Sequence, residues 1–279
     1  MPELPEVEVA RRVLDRALIG ARVASVAGVD ARIAPGGLTA LVGARGVAVE
    51  RRGKWIRAVF EAEGGAPLLF LHLGMTGRWC GLEDGAAKLS HERFRFELEK
   101  GAKRSALAYL DTRRFGRVLS AREDIEAWTE LGPDPIADGI DVARLHDEFQ
   151  ARRTTAKVAL LDQTLLAGIG NIHATEALWL ARIDPRSPTR AFTKADLRAL
   201  ARGIDTTLRR GLAQQKGEVP AYVNQGAENR FHIYDRKGPC PRCEHPLRKI
   251  TLGGRSTTFC PSCQKRLSAP RRKPSKRTG

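Results

Sequence analysis

Apolar residues recur at helical spacing near the start of the chain and then change period. Ala10, Val13, Leu14, Ala17 and Leu18 fall at i, i+3, i+4, i+7 and i+8, one face of a helix with 3.6 residues per turn. Pro5 suits a first turn, Glu6 and Glu8 complement the positive end of the dipole, and Gly20 suits a stop. A helix is therefore predicted over residues 5–19. From Arg22 the pattern turns to β. Strands are predicted over residues 23–29, 47–51, 55–61, 67–73, 93–99, 106–111 and 117–120, punctuated by Gly53, Gly64-Gly65, Gly74, Gly77 and Gly101. Several short strands after one helix suggest a β-sandwich or barrel.

After Leu131-Gly132-Pro133-Asp134-Pro135 the pattern becomes helical. Helices are predicted over 141–152, over 155–161, from near Gly170-Asn171, and over 193–210. In the last, Thr193 and Asp196 form a capping pair, and Leu197, Leu200, Ala201, Ile204 and Leu208 share a face. Residues 214–229, rich in Gly, Gln, Asn and Glu, are expected to form a mobile loop. The fold class is α+β. An N-terminal helix with a β-sandwich occupies residues 1–135, a helical domain 136–235, a four-cysteine hairpin 236–264 and a basic tail 265–279.

Charge sharpens this division. Lys and Arg exceed Asp and Glu by 48 to 32, a net of +16. Residues 1–135 carry +2, residues 136–238 carry +4, and residues 239–279 carry +10 with a single acid. A basic chain of this kind suits a polyanion partner, most often nucleic acid. The basic C-terminus is expected to attract phosphate non-specifically, because unpaired Lys and Arg displace DNA counterions whatever the sequence; a solubilising tail without a specific partner is the alternative. With 42% hydrophobic residues, wholesale disorder is excluded. No apolar run reaches about 18 residues, so no membrane helix is expected. The acidic N-terminus MPELPEVEVA argues against secretion and for the cytoplasm.

Five cysteines are present. Cys240, Cys243, Cys260 and Cys263 read C-x2-C-x16-C-x2-C. Tetrahedral Zn²⁺ takes four thiolates, and each CxxC turn supplies two. Two short strands are expected between the pairs, over 248–252 and 256–259 around Gly253-Gly254, giving a hairpin finger holding one structural Zn²⁺. The alternative is two disulfides or a redox dithiol. Four thiolates around Zn²⁺ carry −2, which lowers the folded net charge to about +14. Cys80 stands alone and is expected in the core.

Several short motifs carry possible chemistry. If Met1 is removed, Pro2 becomes the N-terminus and presents a secondary amine, a nucleophile that condenses with an aldehyde-level carbon to an iminium. Glu3 beside it suits proton transfer, and Glu6 suits either that work or the helix dipole. Lys54, in Arg51-Arg52-Gly53-Lys54-Trp55, suits a second amine, a phosphate clamp, or a solvated turn. His72-Leu73-Gly74-Met75-Thr76-Gly77 places Met75 on a loop, as a wedge between bases or as core. Asp111-Thr112-Arg113-Arg114-Phe115-Gly116 sets guanidiniums beside a ring. Gly168-Ile169-Gly170-Asn171 opens a helix and suits phosphate binding, or capping by Asn171.

In this order the motifs resemble the formamidopyrimidine-DNA glycosylase family, which includes the endonuclease VIII branch. The resemblance runs from Pro2 to about Gln264. It rests on MPELPEVE, RRGKW, HLGMTG, DTRRFG, LLDQTLLAGIGNI and the CxxC pair preceded by GGRSTTF. It implies a β-sandwich, a helix–two-turn–helix domain and a four-cysteine zinc finger. It implies a monomeric, bifunctional glycosylase and AP lyase acting on damaged double-stranded DNA. Pro2 would attack the sugar C1′, with Glu3, Glu6 and Lys54 completing the catalytic set. Met75, Arg113 and Phe115 would fill the space left by the flipped base, and His72, Asn171 and Arg255 would contact DNA. The trio and Leu4 favour the branch that removes oxidised purines, formamidopyrimidines and 8-oxoguanine. His173 departs from the usual Tyr, the segment KGEVPAYVNQGAENRF departs from the usual lesion loop, and HIYDRKG is similar to the endonuclease VIII side. An enzyme for oxidised pyrimidines, a catalytically silent damage binder and a zinc-ribbon regulator are the alternatives.

Overall fold

A computed structural model describes residues 2–215, 217 and 231–268. Most of the expected loop at 214–229, and the tail from residue 269, lie outside the described residues. The chain forms two compact units, Met1–Asp134 with Leu208–Ala227, and Pro135–Thr207 with Glu228–Gly279.

The first unit opens with α1 (Leu4–Leu18). Pro5 costs nothing there, because first-turn N–H groups have no intrahelical partner. Val7, Ala10, Val13, Leu14 and Leu18 are all at most 3% exposed. Burying the larger of these stabilises by about 1.5–3 kcal/mol each. Eight strands follow: β1 (Arg22–Ala27), β2 (Arg45–Arg52), β3 (Trp55–Glu61), β4 (Leu68–His72), β5 (Arg78–Glu83), β6 (Glu92–Lys100), β7 (Lys103–Leu110) and β8 (Arg117–Ala121). They make one antiparallel sheet in the order β5-β7-β6-β1-β2-β3-β4-β8. Between β1 and β2 a single strand pair, Arg22 with Arg45, joins the halves. The sheet folds there into a sandwich, and α1 packs on β2 and β3 of one half and on β5 of the other. A short helix, α2 (Glu126–Thr129), sets Trp128 against Phe70 at 5.9 Å.

The seven expected strands are present, with no end displaced by more than three residues. The eighth, β5, is not anticipated by the sequence pattern. Gly77 precedes it and Gly81 interrupts its alternation, yet Trp79 is buried against Phe94 and Tyr109 at 5.4 and 5.0 Å. Because β5 is an edge strand, Cys80 is half-buried rather than in the core, which corrects the sequence expectation.

The second unit contains α3 (Val142–Ala151), α4 (Ala156–Leu161), α5 (Asn171–Leu180) and the start of α6 (Lys194–Gln214). Asp141 caps α3, accepting from Ala143 N at 2.8 Å. Thr193 and Asp196 cap α6 reciprocally, at 2.9 and 3.2 Å. Every residue of α5 from His173 to Trp179 is buried, including the polar His173, Thr175 and Glu176, each of which finds a hydrogen-bond partner. The unit ends in a hairpin of β9 (Arg248–Leu252) and β10 (Arg255–Phe259). Lys265, assigned to the tail by sequence, is tied down: its N–H donates to Arg182 O at 2.8 Å and its carbonyl accepts from Asp184 N at 2.9 Å.

Candidate active site and nucleic-acid interface

The N-terminal residues are set by the start of α1. Glu3 is its N-cap in extended conformation, and its carbonyl accepts from Glu6 N and Val7 N at 3.1 Å. Glu6 reaches back, its Oε2 accepting from Glu3 N at 3.0 Å. This is the returning arm of a capping box, and it fixes the peptide next to Pro2. Pro2, Glu3 and Glu6 are all buried. Two acids placed within one turn of a potential amine nucleophile suit proton transfer around a reacting sugar.

Lys54 sits in the two-residue turn between β2 and β3, with Gly53 at φ +59°. Asp134 holds this turn, accepting from Gly53 N at 2.9 Å and from Arg51 Nη1. Arg51 also donates to Glu8 of α1 at 3.1 Å, and Arg52 to Gly132 O at 3.3 Å. The Lys54 turn is therefore fastened both to α1 and to the segment after α2. At the end of β4, His72 contacts Trp55, with ring centroids 5.1 Å apart. Burial, then the charges of Lys54 and Arg117, push its pKa down to about 4. His72 is thus neutral near pH 7. Its Nδ1 accepts from Gly74 N at 3.2 Å, so its proton sits on Nε2, available as a donor.

The two loops bearing Met75, Arg113 and Phe115 are brought together. Asp111 is fully buried, accepting from Thr76 Oγ1 at 2.5 Å, Arg113 N at 3.2 Å and Gly116 N at 2.8 Å. Thr76 Oγ1 in turn accepts from Arg113 N at 3.1 Å. A Cβ on Gly74, at φ +61°, would fall 2.3 Å from the Phe115 carbonyl, so only glycine permits this approach. Phe115 is 52% exposed, with the Arg113 guanidinium 4.7 Å from its ring centroid. Met75 is half-buried. An exposed ring under a guanidinium suits contact with unstacked bases.

In the second unit, Gly170 rather than Asn171 is the N-cap of α5. That corrects the capping alternative for Asn171. Its Nδ2 instead donates to Ser256 O at 2.9 Å, tying the helix start to β10 beside the exposed Arg255. Lys157, fully buried on α4, donates to Asn171 O at 2.7 Å and to Thr175 Oγ1. His173 is buried, with Nδ1 3.0 Å from Thr207 Oγ1. Glu176, held low by the His232 side chain and three amides that outweigh its burial, binds the N–H groups of His232, Ile233 and Tyr234 at 2.8 Å.

The four cysteine sulfurs of the finger lie within 4.8 Å of one another. Zn–S bonds of about 2.3 Å in a tetrahedron imply S–S edges of about 3.8 Å. The Cys240–Cys263 and Cys243–Cys260 separations, 3.7 and 3.5 Å, fit that edge. Around them, Trp179 Nε1–H donates to Cys240 Sγ at 3.4 Å, and Arg242 stacks on Trp179 at 3.8 Å while facing Cys263 Sγ. Such donors temper the −2 charge of a zinc tetrathiolate.

Sequence reasoning missed Asp111, Asp134 and Lys157. Each bonds to a group on another loop or helix, and only Asp111 lies inside a motif singled out for chemistry.

Three family models match in chain order. The formamidopyrimidine-DNA glycosylase N-terminal domain covers residues 1–118, its H2TH domain residues 131–222, and the zinc finger found in FPG and IleRS residues 237–266. Sandwich, helix–two-turn–helix and four-cysteine finger in this order define a DNA glycosylase. A formamidopyrimidine-DNA glycosylase of Chloroflexus aurantiacus is 36% identical over 97% of this chain and all of its own, and one from Pseudomonas syringae is 39% identical over 95% and all. MutM in complex with DNA containing carbocyclic 8-oxo-G superposes with a TM-score of 0.82 at 28% identity, over 95% of this chain and all of that one. The chain belongs to the formamidopyrimidine-DNA glycosylase family.

Proposed function

We propose that this protein is a bifunctional DNA glycosylase and AP lyase of base excision repair that removes oxidised purines. The observation that carries the reading is the bracket at the start of α1, where buried Glu3 and Glu6 frame Pro2. With Met1 removed, the Pro2 amine attacks the sugar C1′ of a nucleotide whose base is flipped from the stack. The C1′–N bond breaks, and the base leaves with the electron pair and takes a proton. Glu3 assists opening of the C1′–O4′ bond, leaving an iminium between Pro2 and C1′. Loss of a C2′ proton then expels the 3′ phosphate, and a further elimination expels the 5′ phosphate. Lys54 and the Nε2–H of His72 hold phosphate near this centre. Met75, Arg113 and Phe115 occupy the vacated stack, with Arg113 toward the opposite base. Asn171 and Arg255 bind phosphate. Zn²⁺ supplies rigidity to the hairpin carrying Arg255, held by Cys240, Cys243, Cys260 and Cys263. The protein acts in the cytoplasm, on chromosomal DNA.

Support for the purine reading comes from related complexes. Lactococcus lactis Fpg has been solved with DNA containing N7-benzyl-Fapy-dG, at a TM-score of 0.81 and 28% identity. The same protein has also been solved with DNA containing an oxidised pyrimidine, which keeps that substrate as the second reading. Borohydride trapping on duplexes carrying 8-oxoguanine, formamidopyrimidine or thymine glycol separates the two, with N-terminal mass analysis to establish removal of Met1. A processed protein that forms no covalent adduct with any of them sinks the enzymatic reading.

A further inference from the structure

One buried contact reaches the N-terminal bracket from 209 positions along the chain. Gln215 directly follows α6, is 6% exposed, and belongs to the same compact unit as Glu6. Its Nε2–H donates to Glu6 Oε1 at 2.8 Å. The other carboxylate oxygen of Glu6 accepts from Glu3 N at 3.0 Å. Gln215 is itself anchored, its backbone N–H donating to Leu212 O at 3.1 Å.

We propose that Gln215 is a positioning residue for the Pro2 nucleophile, acting through Glu6. The proposal rests on the enzymatic reading above. Held from both sides, the Glu6 carboxylate has one orientation, and the Glu3 amide it grips is bonded directly to the Pro2 carbonyl carbon. Small errors in the direction of an attacking atom cost large factors in rate. A donor is needed at position 215. An apolar side chain would leave Glu6 Oε1 buried without that partner, and a carboxylate would set two anions against each other.

The test is a double-mutant cycle read by single-turnover borohydride trapping on an abasic duplex, with DNA affinity measured alongside. Gln215→Leu is expected to slow trapping roughly tenfold to a hundredfold, as for removal of one buried hydrogen bond to a charged group, at near-parental affinity. In a Glu6→Ala background the same change should add little, because its route is gone. Gln215→Glu alone should slow trapping more than Gln215→Leu. Combined with Glu6→Gln it restores the pair with donor and acceptor exchanged, so the double variant should trap faster than the Gln215→Glu single variant. Equal effects of Gln215→Leu in both backgrounds, or no recovery in the exchanged pair, overturn the proposal while the parent still forms its adduct. Absence of an adduct with the parent overturns the enzymatic reading and this proposal together.

Discussion

Replacing Asp111 with Asn keeps its shape and changes only what its oxygens can accept. In the native site two oxygens serve three donors, Thr76 Oγ1 and Arg113 N on Oδ1 and Gly116 N on Oδ2. An amide group must turn its NH₂ toward one side. Toward Gly116, it leaves that N–H facing another donor. Toward Thr76, the hydroxyl can rotate to accept, but Arg113 N loses its Asp111 acceptor. At least one hydrogen bond to the buried carboxylate is lost in either orientation, and the charge assistance of the rest disappears. An unmet buried donor costs about 1–3 kcal/mol, and hydrogen bonds to charged groups contribute about 1.5–3 kcal/mol. Asp111→Asn should therefore destabilise the first unit by about 2–4 kcal/mol in urea unfolding.

The functional consequence follows from what Asp111 joins. It ties the loop bearing Met75 to the loop bearing Arg113 and Phe115, and under the proposed function these would fill the space left by a flipped base, which exists only when there is a stack to fill. Trapping on a lesion duplex should fall by a factor of about 5 or more, the equivalent of roughly 1 kcal/mol or more. Trapping on a single-stranded abasic oligonucleotide should stay near the parental rate, measured where the variant is fully folded. An Asn variant with parental stability and parental duplex trapping would refute both the network and the role assigned to the loops.

His72 has a folded pKa of about 4 against a reference of about 6.5. Its folded form binds fewer protons, so the stability linked to it is complete above pH 6.5 and is lost as pH falls toward 4, by up to about 3 kcal/mol; urea unfolding across that window should be flatter for His72→Asn, and an identical slope would count against the buried neutral state. Cys240→Ser should release zinc, seen with a chromogenic chelator, and weaken DNA binding; loss of metal with parental affinity would remove the finger from the interface. Ending the chain after Ser268 deletes five positive charges and no acid, and should flatten the log–log salt dependence of non-specific binding by up to ~0.9 for each phosphate no longer neutralised; an unchanged slope makes the tail a spectator.

How far these features can be read from sequence depends on whether their cause is local. The period of α1, the Thr193–Asp196 cap and the CxxC spacing are set by neighbours within a few residues, and the structure places each where the pattern does. The strand β5 escapes the pattern because Gly81 breaks its alternation, and its place depends on Trp79 finding Phe94 and Tyr109 from other strands. The candidate site divides in the same way. Pro2, Glu3 and Lys54 announce themselves by residue type beside a terminus or a turn. Asp111, Asp134 and Gln215 do not, because an Asp in a loop and a Gln after a helix are ordinary residues with ordinary local uses. Their importance comes from long-range partners: Asp134 grips Gly53 across 81 positions and Gln215 grips Glu6 across 209. Such pairings exist only once the sheet and helices have closed, and no period or spacing encodes them. The groups that would meet DNA are thus visible as motifs. The groups that aim them are visible only as geometry, so substitutions at Asp111 and Gln215 test the mechanism more sharply than further changes at Pro2, whose loss would abolish activity under any account that uses the N-terminus.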